Sequence, residues 1–587
     1  MSAPGAVRGA SWLFASAAPV STFTPEQLSD EHRLIRQTAD AFMANEVLPA
    51  IHRLEEKDWT CARELVATCA ELGLLGTDVP EEYGGLAMDK VSSLIVGEAV
   101  GRLPSFATTF GAQTGLSITP LLCFGTSAQK QQYLPRLVSG EILGAYALSE
   151  SGSGSDALSA RARAVRQADG SFVLSGEKMW ITNGGFADIF IVFANVEDAR
   201  RPDLQVGRAF TAFIVERAFP GVASGNEEHK MGLNGSSTTP LILQDVRVPA
   251  ENVLGEVGKG HKVAFNVLNY GRVKLGAMCS GGARFVIAEA AKYASERRQF
   301  GRPIAEFGAI RHKLSEMVVR EYAVESMLYR LAGLLDGHDD DTRSAPPSGL
   351  PDTRSAALSG LPAALEAYAI EASIVKVAGS EMLDYVVDEN VQIHGGNGFV
   401  RDYPAERHYR DARVNRIFEG TNEINRLLIA GMLVRRSKAM LVDGPEPQDR
   451  PDAPDVMAAL DTMKAAALTV LATAVSRYGD KLGDEQEVLT LAADILIDVF
   501  ASDSVTARAA AAGDPLHAAV ASVYVSDAAA RVEVAARTAL AAMLDGDERA
   551  TAVARIRRLF DIPAVDTVPL RNLIAAAVLS RGKYPYL

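Results

Sequence analysis

The chain has 587 residues, 48% of them hydrophobic, with a formal net charge of −14 and four cysteines. Single cores stop growing near roughly 250–300 residues, so several domains are expected, and the acidic balance disfavours a nucleic-acid partner, whose phosphates call for Lys and Arg. No uninterrupted apolar run approaches the roughly 20 residues of a bilayer span. Cys61, Cys69, Cys123 and Cys279 show neither a CxxC pair nor metal-ligand spacing, which predicts reduced thiols, no metal site and a cytoplasmic protein.

Residues 1–25 are small and apolar with one arginine, Arg8. They match a secretory signal poorly and read as a flexible or docking N-terminal arm. Over 26–142 the pattern is helical: "EHRLIRQTADAFMANEVLPAIHRLEE" places Ile35, Ala39, Phe42 and Met43 on one face, and "SAQKQQYLPRLVSGE" predicts a short helix capped by Ser127. Over 143–257 the texture changes to short β-rich runs such as "ADIFIVFANV" and "AFTAFIVERA", divided by turn residues, which predicts a middle β domain. Long helical patterns return over 258–440. Within them "DTRSAPPSGLP" at 341–351 is followed at once by the near-copy "DTRSAALSGLP" at 352–362, read as a duplicated surface loop between two antiparallel helices. A Pro/Asp-rich linker at 441–456 leads to an alanine-rich helical appendage, 457–587. Its apolar faces are expected to pack on the body, with another subunit or peripheral membrane contact as the other readings.

Five stretches offer chemistry. "AYALSESGSGSD", Ala145–Asp156, alternates Gly with Ser, giving backbone N–H groups and hydroxyls to a planar or phosphorylated ligand; as it stands it is also an ordinary loop. "KMWITNGG", Lys178–Gly185, offers a tryptophan wall for a flat ligand or a core Trp before a turn. "ERRQFGRPIAEF", Glu296–Phe307, ends a helix with adjacent arginines, suited to a phosphate or to the helix dipole. "QIHGGNGF", Gln392–Phe399, has glycines for close approach, and His394 by itself says little about catalysis. In "RIFEGTNEINR" the acid Glu419 stands just before a helix that begins near Asn422, with Thr421 a fair N-cap and Ile424, Leu427, Leu428 and Leu433 as the apolar face. It is a dipole partner or a base.

In this order and spacing, "ALSESGSGSD", "WIT", "RRQFG", "QIHGGNGF" and "IFEGTNEI" resemble the acyl-CoA dehydrogenase family of flavoproteins, over roughly residues 30–440. The long C-terminal extension looks most like the very-long-chain branch. The resemblance implies an α+β, mainly α fold: a helical domain, a central β-barrel domain, a C-terminal four-helix bundle and the appended helical domain. It implies FAD held by Tyr146, Leu148, Ser149, Gly154, Ser155, Trp180, Ile181 and Thr182, with Thr421 and Glu423 near the same cofactor. Arg297, Gln299, Phe300, Gln392, Gly395 and Gly396 would reach the FAD of a neighbouring subunit, so a homodimer or tetramer is implied. Ser155, Asn269, Tyr270, Arg272, Phe418 and Gly420 would meet the substrate, although the family often has Asp or Asn where this chain has Tyr270.

The family's base is the glutamate of "EGT", hence Glu419. The implied reaction is α,β-dehydrogenation of a fatty acyl-CoA to trans-2-enoyl-CoA in β-oxidation, with an electron-transfer flavoprotein as acceptor. The segment "TTFGAQTGLS", Thr108–Ser117, resembles the helix that floors the acyl tunnel. Its small Gly111 and Ala112 lead to the expectation of long chains. An acyl-CoA oxidase and a non-catalytic scaffold on the same fold are the alternatives.

Overall fold

The computed structural model describes residues 9–15, 22–197, 209–337, 353–442 and 456–586. It divides into two compact units, one made of Ser29–Gly282 with Ser344–Glu366, the other of Met1–Leu28, Ala283–Arg343 and Ala367–Leu587. The long helix Gly260–Glu296 contributes to both.

In the first unit, the helix Asp30–Phe42 buries Ile35, Ala39 and Phe42, as its 3.6-residue period dictates. The helix Lys90–Val100 is buried on every side, because its sequence "VSSLIVGEAV" presents almost no charge; its one acid, Glu98, pairs with Arg36 at 3.1 Å. Glycines let the long helix come close. A Cβ on Gly281 would stand 1.7 Å from the Glu98 carbonyl oxygen. The helix Ser127–Val138 is capped by Thr126, not Ser127: Thr126 Oγ1 accepts from Gln129 N–H and the Gln129 side chain accepts from Thr126 N–H, a reciprocal box that Ser127 is one residue too late to form.

The middle domain is an eight-stranded mixed sheet. Its strands are β1 (Gly144–Ala147), β2 (Arg163–Arg166), β3 (Phe172–Thr182), β4 (Ile189–Glu197), β5 (Phe210–Glu216), β6 (Val222–Ser224), β7 (Thr238–Val248) and β8 (Val253–Leu254). Their order is β6-β7-β3-β2-β4-β5-β8, with β1 parallel to β4. β4 is apolar at nearly every position because both its faces are covered. Phe190, Val192 and Ala194 meet Phe172, Leu174 and Phe213, while Ile189, Ile191 and Phe193 meet Ile118, Leu121 and Tyr133 from the helices.

The second unit is helical. Gly308–Leu335, Ala369–His394 and Asn422–Val442 form the bundle with the end of Gly260–Glu296, and the appended helices Gln486–Ala512, Pro515–Met543 and Thr567–Arg581 pack onto it. The appendage therefore covers the bundle of its own chain. The segment Val456–Asp484 is long and apolar enough to cross a bilayer by composition, yet Met463, Ala467, Val470 and Leu471 are buried inside this unit.

Two features take definite form, and the second corrects an expectation. Part of the arm is docked: Trp12 and Leu13 are buried, and Ala10 N–H (2.5 Å) and Trp12 Nε1–H (3.0 Å) both donate to Glu371 Oε1. A buried aromatic with a carboxylate for its indole nitrogen anchors the segment. The duplicated stretch is not simply a loop, since its second copy enters the helix Thr353–Ala367. Ala357 and Leu358 stand where the first copy has the helix-stopping Pro346 and Pro347. The first copy, and the linker apart from its ends, lie outside the described residues.

Candidate active site

Glu419 lies on the turn leading into the helix Asn422–Val442, with φ 57°, followed by Gly420 at φ 80°. A glutamate in the left-handed region is strained by about 1 kcal/mol or more, and such strain persists only where the surroundings over-determine it. Here they do. The Asn425 amide donates to the carbonyls of Gly420 (2.8 Å), Thr421 (3.0 Å) and Glu419 (3.4 Å). From the helix Ala369–His394, Lys376 Nζ donates to Gly420 O and Asn422 Oδ1, both at 2.7 Å. Asn422 in turn donates to Ser380 Oγ and Glu381 Oε1.

Thr421 Oγ1 accepts from Ile424 N–H at 3.3 Å, the expected cap. Phe418, Glu419, Gly420 and Thr421 are half-buried and Glu423 is exposed. A hydrogen bond from its own backbone N–H, helped by Thr421, holds the Glu423 carboxyl below the usual range. The helix buries Asn422, Asn425, Ile429, Ala430 and Leu433, while Ile424 is exposed, so its inner face is partly polar and rotated from the one the apolar period predicts.

In the other unit, the Ser/Gly loop leaves β1 through the half-buried Tyr146, Leu148 and Ser149, and Ser149 O accepts from Met179 N–H at 2.9 Å. The loop is braced by Glu150, which accepts from Lys178 Nζ at 2.6 Å and from the N–H groups of Arg161 and Ala162. Burial pushes this carboxyl up, but Lys178 and the two N–H groups outweigh it and hold it below the usual range. Gly154 faces open space and Ser155 is exposed.

Beside this loop the β3–β7 register shifts between Lys178 and Ile181, and the bulge turns Trp180 outward at φ 58° and 57% exposed, while Ile181 goes into the core and Thr182 is half-buried. An accessible indole next to exposed backbone and hydroxyl groups fits a planar cofactor with a polar edge, as the isoalloxazine of FAD has.

The motif "RRQFGRP" does not end the helix; it forms a hairpin after it. Arg298–Gln299 pairs with Arg302–Pro303 around Phe300 (φ 51°) and Gly301 (φ 81°), the two left-handed residues that suit a tight two-residue hairpin turn. Arg297, Gln299 and Phe300 are exposed, Phe300 at 91%. Gln392, Gly395 and Gly396 are exposed as well, at the end of the helix Ala369–His394. His394 is a packing residue, stacked on Tyr293 at 3.9 Å between ring centres with its Nδ1 on Asn390 O.

The substrate segment lies in the first unit. Arg272 donates to Asn269 Oδ1 at 2.9 Å, and the Asn269 amide donates to Leu365 O. Tyr270 differs from expectation. It is 3% exposed and spends its hydroxyl on Asp78 (2.5 Å) and Ser93 (3.1 Å), facing the core rather than offering the donor a thioester would need. The segment Thr108–Ser117 is the end of the helix Pro104–Gln113 followed by a π-turn, Thr114–Ile118, ahead of Pro120. Sequence reasoning missed Lys376, Ser380, Asn422 and Asn425; a lone lysine inside the apolar run "EASIVKVAGSEML" was the available signal.

Family profiles described as acyl-CoA dehydrogenase N-terminal, middle and C-terminal domains match residues 29–141, 145–246 and 258–350 with 352–434, and a further C-terminal-domain profile matches 462–558. The chain is 41% identical over 600 residues to a probable acyl-CoA dehydrogenase of Bacillus subtilis (strain 168), covering 98% of each. It is 41% identical over 383 residues to the mitochondrial very long-chain specific acyl-CoA dehydrogenase of Homo sapiens, covering 65% of this chain and 53% of that one. The crystal structure of an acyl-CoA dehydrogenase complexed with FAD from Bacillus anthracis superposes with a TM-score of 0.90 at 41% identity, over 99% of this chain and 100% of that one. The chain belongs to the acyl-CoA dehydrogenase family and is a flavin-dependent oxidoreductase whose cofactor is FAD.

Proposed function

We propose that the chain oxidises a long-chain fatty acyl-CoA to its trans-2-enoyl-CoA in fatty acid β-oxidation, with Glu419 removing the α-proton. The observation that carries this reading is the strained backbone of Glu419, pinned by Asn425 and Lys376, which fixes one carboxylate at the head of a turn. A thioester α-proton is weakly acidic, so its removal needs a carboxylate within hydrogen-bond reach and a donor for the charge that develops on the thioester oxygen. The backbone N–H of Glu419 is the proposed donor. Gly420 keeps bulk away from the acyl chain, and Phe418 keeps water from the base.

Bound FAD would supply the acceptor for the hydride of the β-carbon. Tyr146, Leu148, Ser149, Gly154, Ser155 and Trp180–Thr182 would hold it, with Thr421 and Glu423. Arg297, Gln299, Phe300, Gln392, Gly395 and Gly396 would cover the cofactor of a second copy, which accounts for an aromatic as exposed as Phe300 and makes a homo-oligomer part of the proposal. Ser155, Asn269 and Arg272 would meet the CoA thioester, an electron-transfer flavoprotein would reoxidise the flavin, and the cytoplasm is the proposed location. Long chains are supported by the small side chains of Gly111 and Ala112 in the segment Thr108–Ser117.

The test is anaerobic bleaching of the flavin in the holoenzyme by saturated acyl-CoAs from short to very long, beside Glu419→Gln. Rapid bleaching with long chains is expected, with a loss of roughly 10³-fold or more in the variant while FAD stays bound. Bleaching by the variant at the wild-type rate would remove Glu419 from its role, and bleaching by short chains alone would remove the long-chain assignment.

A further inference from the structure

Lys274 follows the substrate segment on the helix Gly260–Glu296 and is 6% exposed. An ammonium has three donors, and leaving them unspent in a protein interior is costly. Among the described residues Lys274 has no hydrogen-bond or ion-pair partner. It has only aromatic faces, Tyr270 at 4.9 Å and Phe110 at 6.0 Å from the ring centres. Asp78 attracts it without a hydrogen bond, since Asp78 Oδ2 is taken by Lys90 Nζ at 2.7 Å and by the Tyr270 hydroxyl. Asp78, Lys90 and Lys274 together therefore carry one buried positive charge in excess. The stem of Lys274 runs past the π-turn of the segment Thr108–Ser117: a Cβ on Gly115 would stand 3.5 Å from its Cδ. Burial, with the nearby Asp78 acting against it, brings the Lys274 amine down to about 8.

We propose that Lys274 is a specificity-determining residue that pairs with a carboxylate carried by the acyl group away from its thioester, so that dicarboxylic acyl-CoA thioesters are the preferred substrates. The inference rests on the acyl-CoA dehydrogenation proposed above and on Thr108–Ser117 flooring the acyl site. A carboxylate there neutralises the excess charge and takes up the unspent donors. A methyl terminus leaves both uncompensated, the kind of asymmetry from which sites built around a polar group discriminate. Glycine at 115 leaves room for the lysine stem, and Tyr270, drawn into the core by Asp78, supplies the wall under the ammonium.

The experiment compares kcat/KM of the holoenzyme, wild type and Lys274→Met, for saturated acyl-CoAs and their ω-carboxyl counterparts of equal length. The wild type is expected to favour the ω-carboxyl series by roughly 10- to 100-fold, and Lys274→Met to lose that preference. A second reading needs no variant. In the wild type, KM for the ω-carboxyl substrate should rise as pH passes about 8, where Lys274 loses its proton, and KM for the plain chain should stay level. The charged or titratable groups facing Lys274 are Asp78, Lys90 and Tyr270, and Asp78 is held well below this window: burial would raise it, but Lys90 and Lys274 outweigh burial. No ω-carboxyl preference in the wild type, a preference that survives Lys274→Met, or level profiles for both substrates would overturn the proposal. Flavin reduced by neither series in either protein would instead sink the dehydrogenation reading.

Discussion

Asn425 illustrates what a single residue contributes to this site. Its side chain donates to three successive carbonyls of the turn that carries Glu419, and Lys376 Nζ reaches one of them from a different helix. Without the amide, the left-handed Glu419 has fewer bonds opposing its return to an ordinary conformation, and a carboxylate displaced by about 1 Å costs on the order of 100-fold in rate. Asn425→Ala is therefore expected to slow flavin reduction by roughly 10- to 100-fold while the protein keeps its FAD, because the loop and bulge that frame Trp180 are untouched. Stopped-flow bleaching with flavin content measured on the same sample checks both halves; an unchanged rate would mean that Lys376 suffices to hold the turn.

At the scale of elements, the helix Lys90–Val100 depends on the acid before it. Asp89 Oδ1 accepts from Ser92 N–H at 2.8 Å, and the carboxylate also accepts from His32 Nε2 at 2.9 Å. His32 Nδ1 accepts from Ser29 N–H, so the ring proton sits on Nε2 and points at Asp89. Burial would raise this carboxyl, but His32 and Ser92 bring it from 3.8 down to about 2. A depressed carboxylate contributes stability that is full above its ordinary value and lost as pH falls through the folded one. Asp89→Ala should cost about 1–2 kcal/mol at neutral pH, visible as faster hydrogen exchange across Lys90–Val100, and the gap to wild type should begin to close below about pH 4. A gap that does not narrow there would show that the cap does not act through its charge.

This element was legible in outline. The apolar period named its helical neighbour Asp30–Phe42, and the continuous apolar run of β4 marked a strand buried on both faces. The bulge at Trp180, the hairpin at Phe300 and the pinning of Glu419 were not legible, since each depends on a partner far along the chain or on a left-handed residue that is not glycine. The motif wording led to Glu419 and Trp180; only the fold tells which way their backbones turn. Tyr270 failed for a similar reason, its direction being set by Asp78, 192 residues away.

Across the whole molecule, residues from both ends of the chain meet in one buried network of the helical unit. Arg508, with no exposed surface, donates to Glu26 and to Glu325, both at 2.8 Å; Glu325, equally buried, also accepts from Arg284 at 2.6 Å and from the Tyr584 hydroxyl at 2.8 Å. Arg508 further lies 4.1 Å over the Tyr322 ring. The network thus joins the stretch before the first long helix, the bundle, the appendage and the C-terminal residues. Removing one partner of such a pair strands the other charge, at about 3–5 kcal/mol, whereas replacing both by apolar residues is often close to neutral. Arg508→Met is expected to lower Tm sharply, and Arg508→Met with Glu325→Met to recover at least half of the loss, because Arg284 keeps Glu321 at 3.7 Å. Burial would raise the Glu325 carboxyl, but Arg508 and Arg284 outweigh it, so its contribution is present above 4.5 and lost as pH falls through the lower folded value. The acid-side decline in Tm should accordingly be shallower in the double variant than in the wild type. Melting curves of the three holoenzymes between neutral and acid pH decide the matter: if Arg508→Met melts with the wild type, the appendage is held by its apolar helix faces and the network adds nothing measurable.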